Sequence, residues 1–287
     1  MKTRTIRIAC AAVVCAVALC GGPVVAGTLV LEFDSTGGAI LDGSGDATGF
    51  TDRLPGTGGN IPANDASLDL DTGLGVLNMN DTPGDLNGQA QMADTSAIGI
   101  KLSSLGFTGA QDFVVKARFV NIPDNVTISV PDQMVAFVGG SSTEMIRAGT
   151  INFDNFLDLG ETRSNEGFGV NTNGNFDSAP RFFGADVGTE MDIEISRTGG
   201  VWSVLVDGID RLPNTNADGS GTPQPPIFLD DNTDLYVGVL AQDVANDGTW
   251  SVQLDRFEAT VVPEPASIAL LGIAVAGALC GRRRWCR

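Results

Sequence analysis

The sequence predicts an all-β body built as a two-sheet antiparallel sandwich of jelly-roll type. Three observations lead there. Short runs rich in Val, Ile, Phe and Thr alternate with turns rich in Gly and Asp, and the chain spends 37 of its 287 residues on Gly. In the clearest run, Asp112 to Asn121, Phe113, Val115, Ala117 and Phe119 alternate with Val114, Lys116 and Arg118. That period of two belongs to a strand with one buried face. Between Gly27 and Val262 no stretch repeats its apolar residues at helical spacing.

Taken in order, Thr28 to Phe33 is the opening strand and Leu74 to Met79 a second. Asp112 to Asn121 follows. Met134 to Gly139 and Met145 to Phe153 form a pair around Ser141-Ser142-Thr143. Glu190 to Arg197 and Val201 to Val206 make a hairpin through Thr198-Gly199-Gly200, and Asp207-Gly208 makes the next turn. Leu235 to Ala241 and Trp250 to Val261 close the body. Three long loops remain: Asp34 to Asp65, Asp154 to Gly188 and Leu212 to Pro226. Loops of that length in a compact domain are often functional.

Both ends of the chain carry a different pattern. Lys2, Arg4 and Arg7 precede an apolar run from Ile8 to Leu19, and Val24-Val25-Ala26 offers small or apolar residues before a cut at Gly27. This is the pattern of a secretory signal peptide, residues 1–26, with a helical apolar core. Cys20 is a poor lipidation site, because bulky Leu19 stands before it. At the other end, residues 263–287 fall into three parts. Pro263-Glu264-Pro265 is stiffened by its two rings. The 16 residues from Ala266 to Gly281 are uncharged. As a helix they would run about 24 Å, slightly short of a bilayer core. Arg282, Arg283, Arg284 and Arg287 follow and favour the cytoplasmic side.

That order resembles the PEP-CTERM sorting signal of bacterial exported proteins, with Pro263, Glu264, Pro265, Arg282, Arg283 and Arg284 as its motif. The resemblance implies a transient membrane helix, a processing partner of exosortase type that cuts near the Pro-Glu-Pro, and delivery to the cell surface or extracellular matrix. The alternative is a simple C-terminal membrane anchor.

The body between the labels, Gly27 to Val262, reads as a single domain. It holds 10 Lys and Arg against 34 Asp and Glu, a net charge near −24. Such a surface excludes nucleic acid as a partner and keeps the body off anionic membranes, leaving the C-terminal helix as the only membrane contact. All five cysteines lie in the two labels, so the body has no disulfide and must hold itself by apolar burial. The chain has no histidine. That removes Ser-His-Asp and Cys-His catalysis and nearly all zinc sites, leaving carboxylates and oxygen-ligated Ca²⁺ or Mg²⁺.

Within the body, Glu190 to Gly208 resembles a recurring hairpin of concanavalin-A-like and laminin-G-like sandwiches, in which a strand ends in Arg-Thr-Gly and the returning strand carries an aromatic and ends in Asp-Gly. Gly49 to Thr57 and Leu254-Asp255-Arg256-Phe257 are also similar to exported members of that group. The resemblance implies a two-sheet jelly roll that commonly binds carbohydrate, sometimes through Ca²⁺, and in some branches hydrolyses glycans. Glu190-Met191-Asp192-Ile193-Glu194 further resembles the catalytic strand of family-sixteen glycoside hydrolases. By that resemblance Glu190 would be the nucleophile, Asp192 its partner and Glu194 the acid/base. Alternation puts the three on one face, with Met191, Ile193 and Ile195 on the other. A retaining pair needs carboxyls about 5–5.5 Å apart. Residues four apart on a flat strand have Cα atoms about 13 Å apart, so a bulge would have to close the gap.

For Ca²⁺, Asn214, Asn216, Asp218 and Ser220 fit the first half of a calcium loop, but Pro225 stands where a bidentate Glu belongs. Asp69-Leu70-Asp71 and Asp230 to Asp234 are further oxygen-rich turns. Asp and Asn also fill turns on conformational grounds. For glycan recognition without catalysis, Asp52, Arg53, Asn171, Asn173 and Asn175 offer polar groups in the long loops, while aromatic platforms are scarce: Trp202, Trp250 and Tyr236. The reading that follows is an exported, surface-sorted sandwich with a non-catalytic structural or adhesive role, binding polysaccharide and needing no obligatory cofactor. The alternatives are a glycoside hydrolase acting through Glu190 and Glu194, and a self-associating matrix component.

Overall fold

A computed structural model describes residues 27–57, 63–80, 96–107, 109, 111–122, 132–141, 144–154, 162–171, 181–186, 189–210, 234–242 and 251–262. The described residues are all-β apart from one 3-10 turn, Leu102–Leu105. The strands are β1 (Thr28–Leu31), β2 (Leu41–Asp42), β3 (Asp52–Arg53), β4 (Asn64–Asp65), β5 (Leu68–Asp71), β6 (Val76–Asn80), β7 (Ser96–Lys101), β8 (Asp112–Val120) and β9 (Asp132–Ser141). Then come β10 (Glu144–Asp154), β11 (Thr162–Asn171), β12 (Arg181–Asp186), β13 (Glu190–Thr198), β14 (Val201–Val206), β15 (Ile209–Asp210), β16 (Tyr236–Gln242) and β17 (Ser251–Val262).

They form two antiparallel sheets. The first has eight strands in the order β15, β14, β13, β8, β17, β6, β5, with β1 also on β17. The second has seven, in the order β12, β11, β10, β9, β16, β7, β3. A small parallel pair, β2 with β4, stands apart.

The two sheets share one core. Phe113, Val115, Ala117 and Phe119 of β8, Met191, Ile193 and Ile195 of β13, and Leu254, Phe257, Ala259 and Val261 of β17 point inward. They meet Ile98 and Ile100 of β7, Met134, Ala136 and Val138 of β9, Ile146 and Ala148 of β10, and Val237 and Val239 of β16. The alternation that identified β8 in the sequence is therefore its inside-outside pattern.

The seven-stranded sheet is buried on its other face too. Ala97, Val135, Phe137, Met145 and Leu240, with Leu54, form a second apolar cluster there. Two-sided burial erases the period of two. For that reason β7 (SAIGIK), buried at five of its six positions, gave no strand signal in the sequence.

Several boundaries move. The opening strand stops at Leu31 because Phe33 takes a positive φ of 54°. The second strand starts at Val76, after a turn in which Asp71 Oδ1 accepts the Gly73 and Leu74 N–H groups, each at 2.9 Å. The hairpin connection shortens from three residues to two, because Thr198 pairs with Val201. Gly199 and Gly200, at φ 59° and 77°, supply the positive φ at both central positions of a type I′ turn. The predicted loop from Asp34 to Asp65 contains β2, β3 and β4, and that from Asp154 to Gly188 contains β11 and β12. The signal segment, the C-terminal label and the Leu212 to Pro226 loop lie outside the described residues. Among the described residues no helix is long and apolar enough to cross a membrane.

Candidate functional site

The outer face of the eight-stranded sheet carries the three acidic residues singled out in the sequence. β13 pairs with β8 in unbroken register, so Glu194 lies opposite Lys116 and Asp192 opposite Arg118. Lys116 Nζ reaches Glu194 at 3.1 Å, and Arg118 Nη2 reaches Glu190 at 2.6 Å. On the other side of β8, Arg256 of β17 faces Arg118 directly. A bulge between Leu254 and Arg256 inserts Asp255, whose carboxylate lies 3.6 Å from Arg118 Nε. Arg256 in turn reaches Glu258 at 3.4 Å and Glu32 at 3.9 Å. The result is a ladder of paired charges along an open groove of about 440 Å³. No bulge shortens β13 between Glu190 and Arg197. The Cα atoms of Glu190 and Glu194 thus keep the spacing of a regular strand, about 13 Å, and each carboxylate is held by a cation.

The outer face of the seven-stranded sheet is built differently. Its apolar cluster ends at Tyr236, which is half-buried against it. Tyr236 is in register with Lys101 of β7, whose ammonium lies 5.2 Å from the centre of the tyrosine ring. A hydrogen bond with the Tyr236 side chain, and then its charge, hold the Lys101 ammonium above its ordinary pKa; burial opposes them, and the Asp234 and Asp52 charges add smaller upward effects. The two carboxylates are oriented from different segments. Asp52, on edge strand β3, accepts from the Thr51 hydroxyl at 2.8 Å and from the Lys101 N–H at 3.4 Å. Asp234, just before β16, accepts from the Ser103 hydroxyl at 2.8 Å and the Ser103 N–H at 3.3 Å.

Beside Lys101 and Tyr236 two buried glycines adjoin: Asp52 pairs with Gly99, Gly99 with Gly238, and Gly238 with Phe137 on β9. A Cβ on Gly238 would sit 2.0 Å from the Ile98 carbonyl oxygen, so the strands approach there only because both residues are glycine. One ammonium, two oriented carboxylates and a half-buried phenol therefore border a pair of glycines.

Other polar groups are structural. Asp42 and Asp65 are fully buried. Asp42 accepts the Ser44, Asp46 and Leu70 N–H groups at 2.8 to 2.9 Å. Asp65 pairs with Arg53 at 3.0 Å and accepts the Ser96 hydroxyl at 2.6 Å. Arg53, a sequence candidate for glycan contact, is thus spent on this brace, while its neighbour Asp52 faces the open side. Arg197 is buried among Phe107, Phe113 and Trp202, each ring centre within 5.7 to 5.9 Å, and donates to the Gly109 and Gln111 carbonyls. That contact explains why a charged residue closes the hydrophobic strand β13.

Of the calcium candidates, Asn214, Asn216, Asp218 and Ser220 lie outside the described residues. Asp69 and Asp71 hold a strand contact and a turn. Among the described residues no group of three or more Asp, Glu, Cys or His is placed to hold a metal ion. Asn173 and Asn175 are outside the described residues, and Asn171 ends β11. Sequence reading missed Lys101, and it counted Tyr236 only as a scarce aromatic. The available signal was that Lys101 and Lys116 are the body's only lysines.

Residues 261–284 match the family described as the PEP-CTERM protein-sorting motif. The chain carries that sorting motif at its C-terminus. No curated protein matches the chain. Among solved structures, it is similar to a protein of unknown function from Shewanella oneidensis, at 15% identity and TM-score 0.44, covering 86% of this chain and 92% of that one. It is similar to the CBM2 module of the evolved Dit protein of Lactobacillus casei phage J-1, at 12% identity and TM-score 0.45, covering 82% and 96%. A third is the Emp47p carbohydrate recognition domain, at 14% identity and TM-score 0.41, covering 72% and 94%. The fold is read from the chain's own two sheets.

Proposed function

We propose that this is an exported PEP-CTERM protein, processed by an exosortase-type protease, whose jelly-roll body binds extracellular polysaccharide without cleaving it. The sorting motif supports the destination. The observation that carries the binding role is the Lys101 cluster on the seven-stranded sheet. Sugars present vicinal hydroxyls on one side and an apolar ring face on the other. Oriented carboxylates accept from the hydroxyls, and an amphipathic ring takes the apolar face. Asp52, Asp234 and Tyr236 supply these groups at one end of the sheet. Against catalysis stands the ladder on the other sheet, where Glu190 and Glu194 sit on one straight strand, each engaged by a cation.

The test is affinity electrophoresis of the processed protein in gels containing neutral or acidic extracellular polysaccharides. Wild type is expected to be retarded in at least one gel. Tyr236→Ala and Asp52→Asn should each weaken retardation about tenfold, about 1.4 kcal/mol of binding. Glu190→Gln with Glu194→Gln should leave it unchanged. Equal retardation of wild type and Tyr236→Ala would remove the site. Release of reducing ends from β-glucans or galactans by wild type, lost in the double Glu variant, would replace binding with hydrolysis.

A further inference from the structure

The sorting motif does not begin beyond the folded body; it begins inside it. Its first two matched residues, Val261 and Val262, are the last two of β17. They pair with Phe113 and Asp112 of β8, and Val261 is fully buried. On its opposite edge β17 is closed by β1, with Thr260 in register with Thr28. The Val261 N–H donates to the Gly27 carbonyl at 2.9 Å. Gly27 is itself fitted to this rim, since a Cβ there would sit 2.0 Å from the Leu105 carbonyl oxygen. It is also the residue at which the signal segment is expected to be cut. Both address labels therefore leave the sandwich at one rim, from neighbouring antiparallel strands. Only Pro263, Glu264 and Pro265 separate the end of β17 from the uncharged run at Ala266. Three residues span at most about 10 Å, so the uncharged run begins within that distance of the end of β17.

We propose that the processing partner recognises the short stub Pro263-Glu264-Pro265 while β17 stays docked between β1 and β8, and does not need the strand end peeled out. The recognised surface then includes the rim itself: the start of β1, the end of β17 and Asp112 at the start of β8. This rests on the sorting reading given above and adds to it the conformation of the substrate. Extracting Thr260 to Val262 would break pairing on both edges and expose Val261, which makes the peeled form the rarer one.

A cross-strand staple tests it. Thr28 and Thr260 are directly paired, their hydroxyls 3.2 Å apart. They flank a hydrogen-bonded pair, so theirs is the closer, non-hydrogen-bonded type suited to a disulfide. No cysteine lies between Gly27 and Val262 to compete. Full-length Thr28→Cys with Thr260→Cys is expressed in cells that contain the processing protease. Maleimide labelling gives the fraction stapled, and intact mass gives the fraction that has lost its tail. The stapled protein is expected to lose its tail to within about twofold of wild type. A tenfold drop in the stapled protein, with Thr260→Cys alone processed normally, would overturn the docked stub while leaving the sorting reading intact. Wild type that keeps its tail in the same cells would overturn both.

Discussion

The two outer faces of the sandwich solve the same problem in opposite ways. On the eight-stranded sheet, Glu190, Asp192 and Glu194 of β13 and Lys116 and Arg118 of β8 point outward, and Glu190, Glu194, Lys116 and Arg118 each have an opposite charge within reach on a neighbouring strand. That face stays open to water and neutralises itself. On the seven-stranded sheet the outward positions in the second cluster are apolar and buried, Arg147 is buried among them opposite Phe137, and the accessible polar groups described there gather at the end near Tyr236. A ligand approaching the first face must compete with ion pairs already made. At the second it meets carboxylates oriented by hydroxyls and backbone N–H groups, and a ring left half-exposed. The difference teaches that a strongly acidic body does not make every carboxylate available. Availability depends on which cations stand opposite.

The largest effect that would break this comparison lies in the second apolar cluster. Phe137→Ala should destabilise the protein by about 3–5 kcal/mol, comparable to Phe113→Ala in the shared core. Chemical denaturation of both variants checks it, and a cost for Phe137→Ala below about 1 kcal/mol would mean that the outer face is not a true core. Next comes the glycine pair. Gly238→Ala should cost about 1–3 kcal/mol, because the strands must part to admit the methyl group. Thermal melts, with Gly37→Ala, exposed and with open space for a Cβ, as the reference, read that difference.

A smaller effect is expected from the charge ladder. Its pairs are exposed, so Glu190→Gln or Glu194→Gln should change stability by no more than about 1 kcal/mol, and the change should shrink in 1 M salt, where charges are screened over about 3 Å. A salt-independent loss would mean that the carboxylates do something other than pair. The smallest effect is at Lys101. Its folded pKa is raised above the ordinary lysine value of 10.5, led by the hydrogen bond with Tyr236. The stabilisation from its charge is therefore fully present below the unfolded value and is lost as pH rises through the higher folded value. Carbon-detected NMR of the lysine side chains should show Lys101 titrating at lower pH in Tyr236→Phe than in wild type.

Alternation and turn chemistry made much of the first sheet legible. β8, β13, β14 and β17 were located within one or two residues, because each has one wet and one dry face and is bounded by Gly or Asp. The same reasoning placed Glu190, Asp192 and Glu194 on the wet face of β13. It failed at β7, where both faces are dry, and at β11 and β12, which stand in a Gly- and Asn-rich stretch without a clear alternation. The candidate site was legible only in part. Asp52 was picked out from its loop, but nothing in the sequence links it to positions 101, 234 and 236.

The sequence alone determined the C-terminal sorting motif, the absence of thiols and imidazoles from the body, and the β character of its strongest strands. These are properties of composition or of neighbours along the chain, and they need no register. Tertiary structure alone decided which sheet face is open, which carboxylates are already paired, and that Asp52, Lys101, Asp234 and Tyr236 meet. It also decided that Gly27 and Val261, 234 residues apart, share one hydrogen bond. Such meetings depend on strand order and pairing register, and a shift of one residue would have sent each side chain to the opposite face.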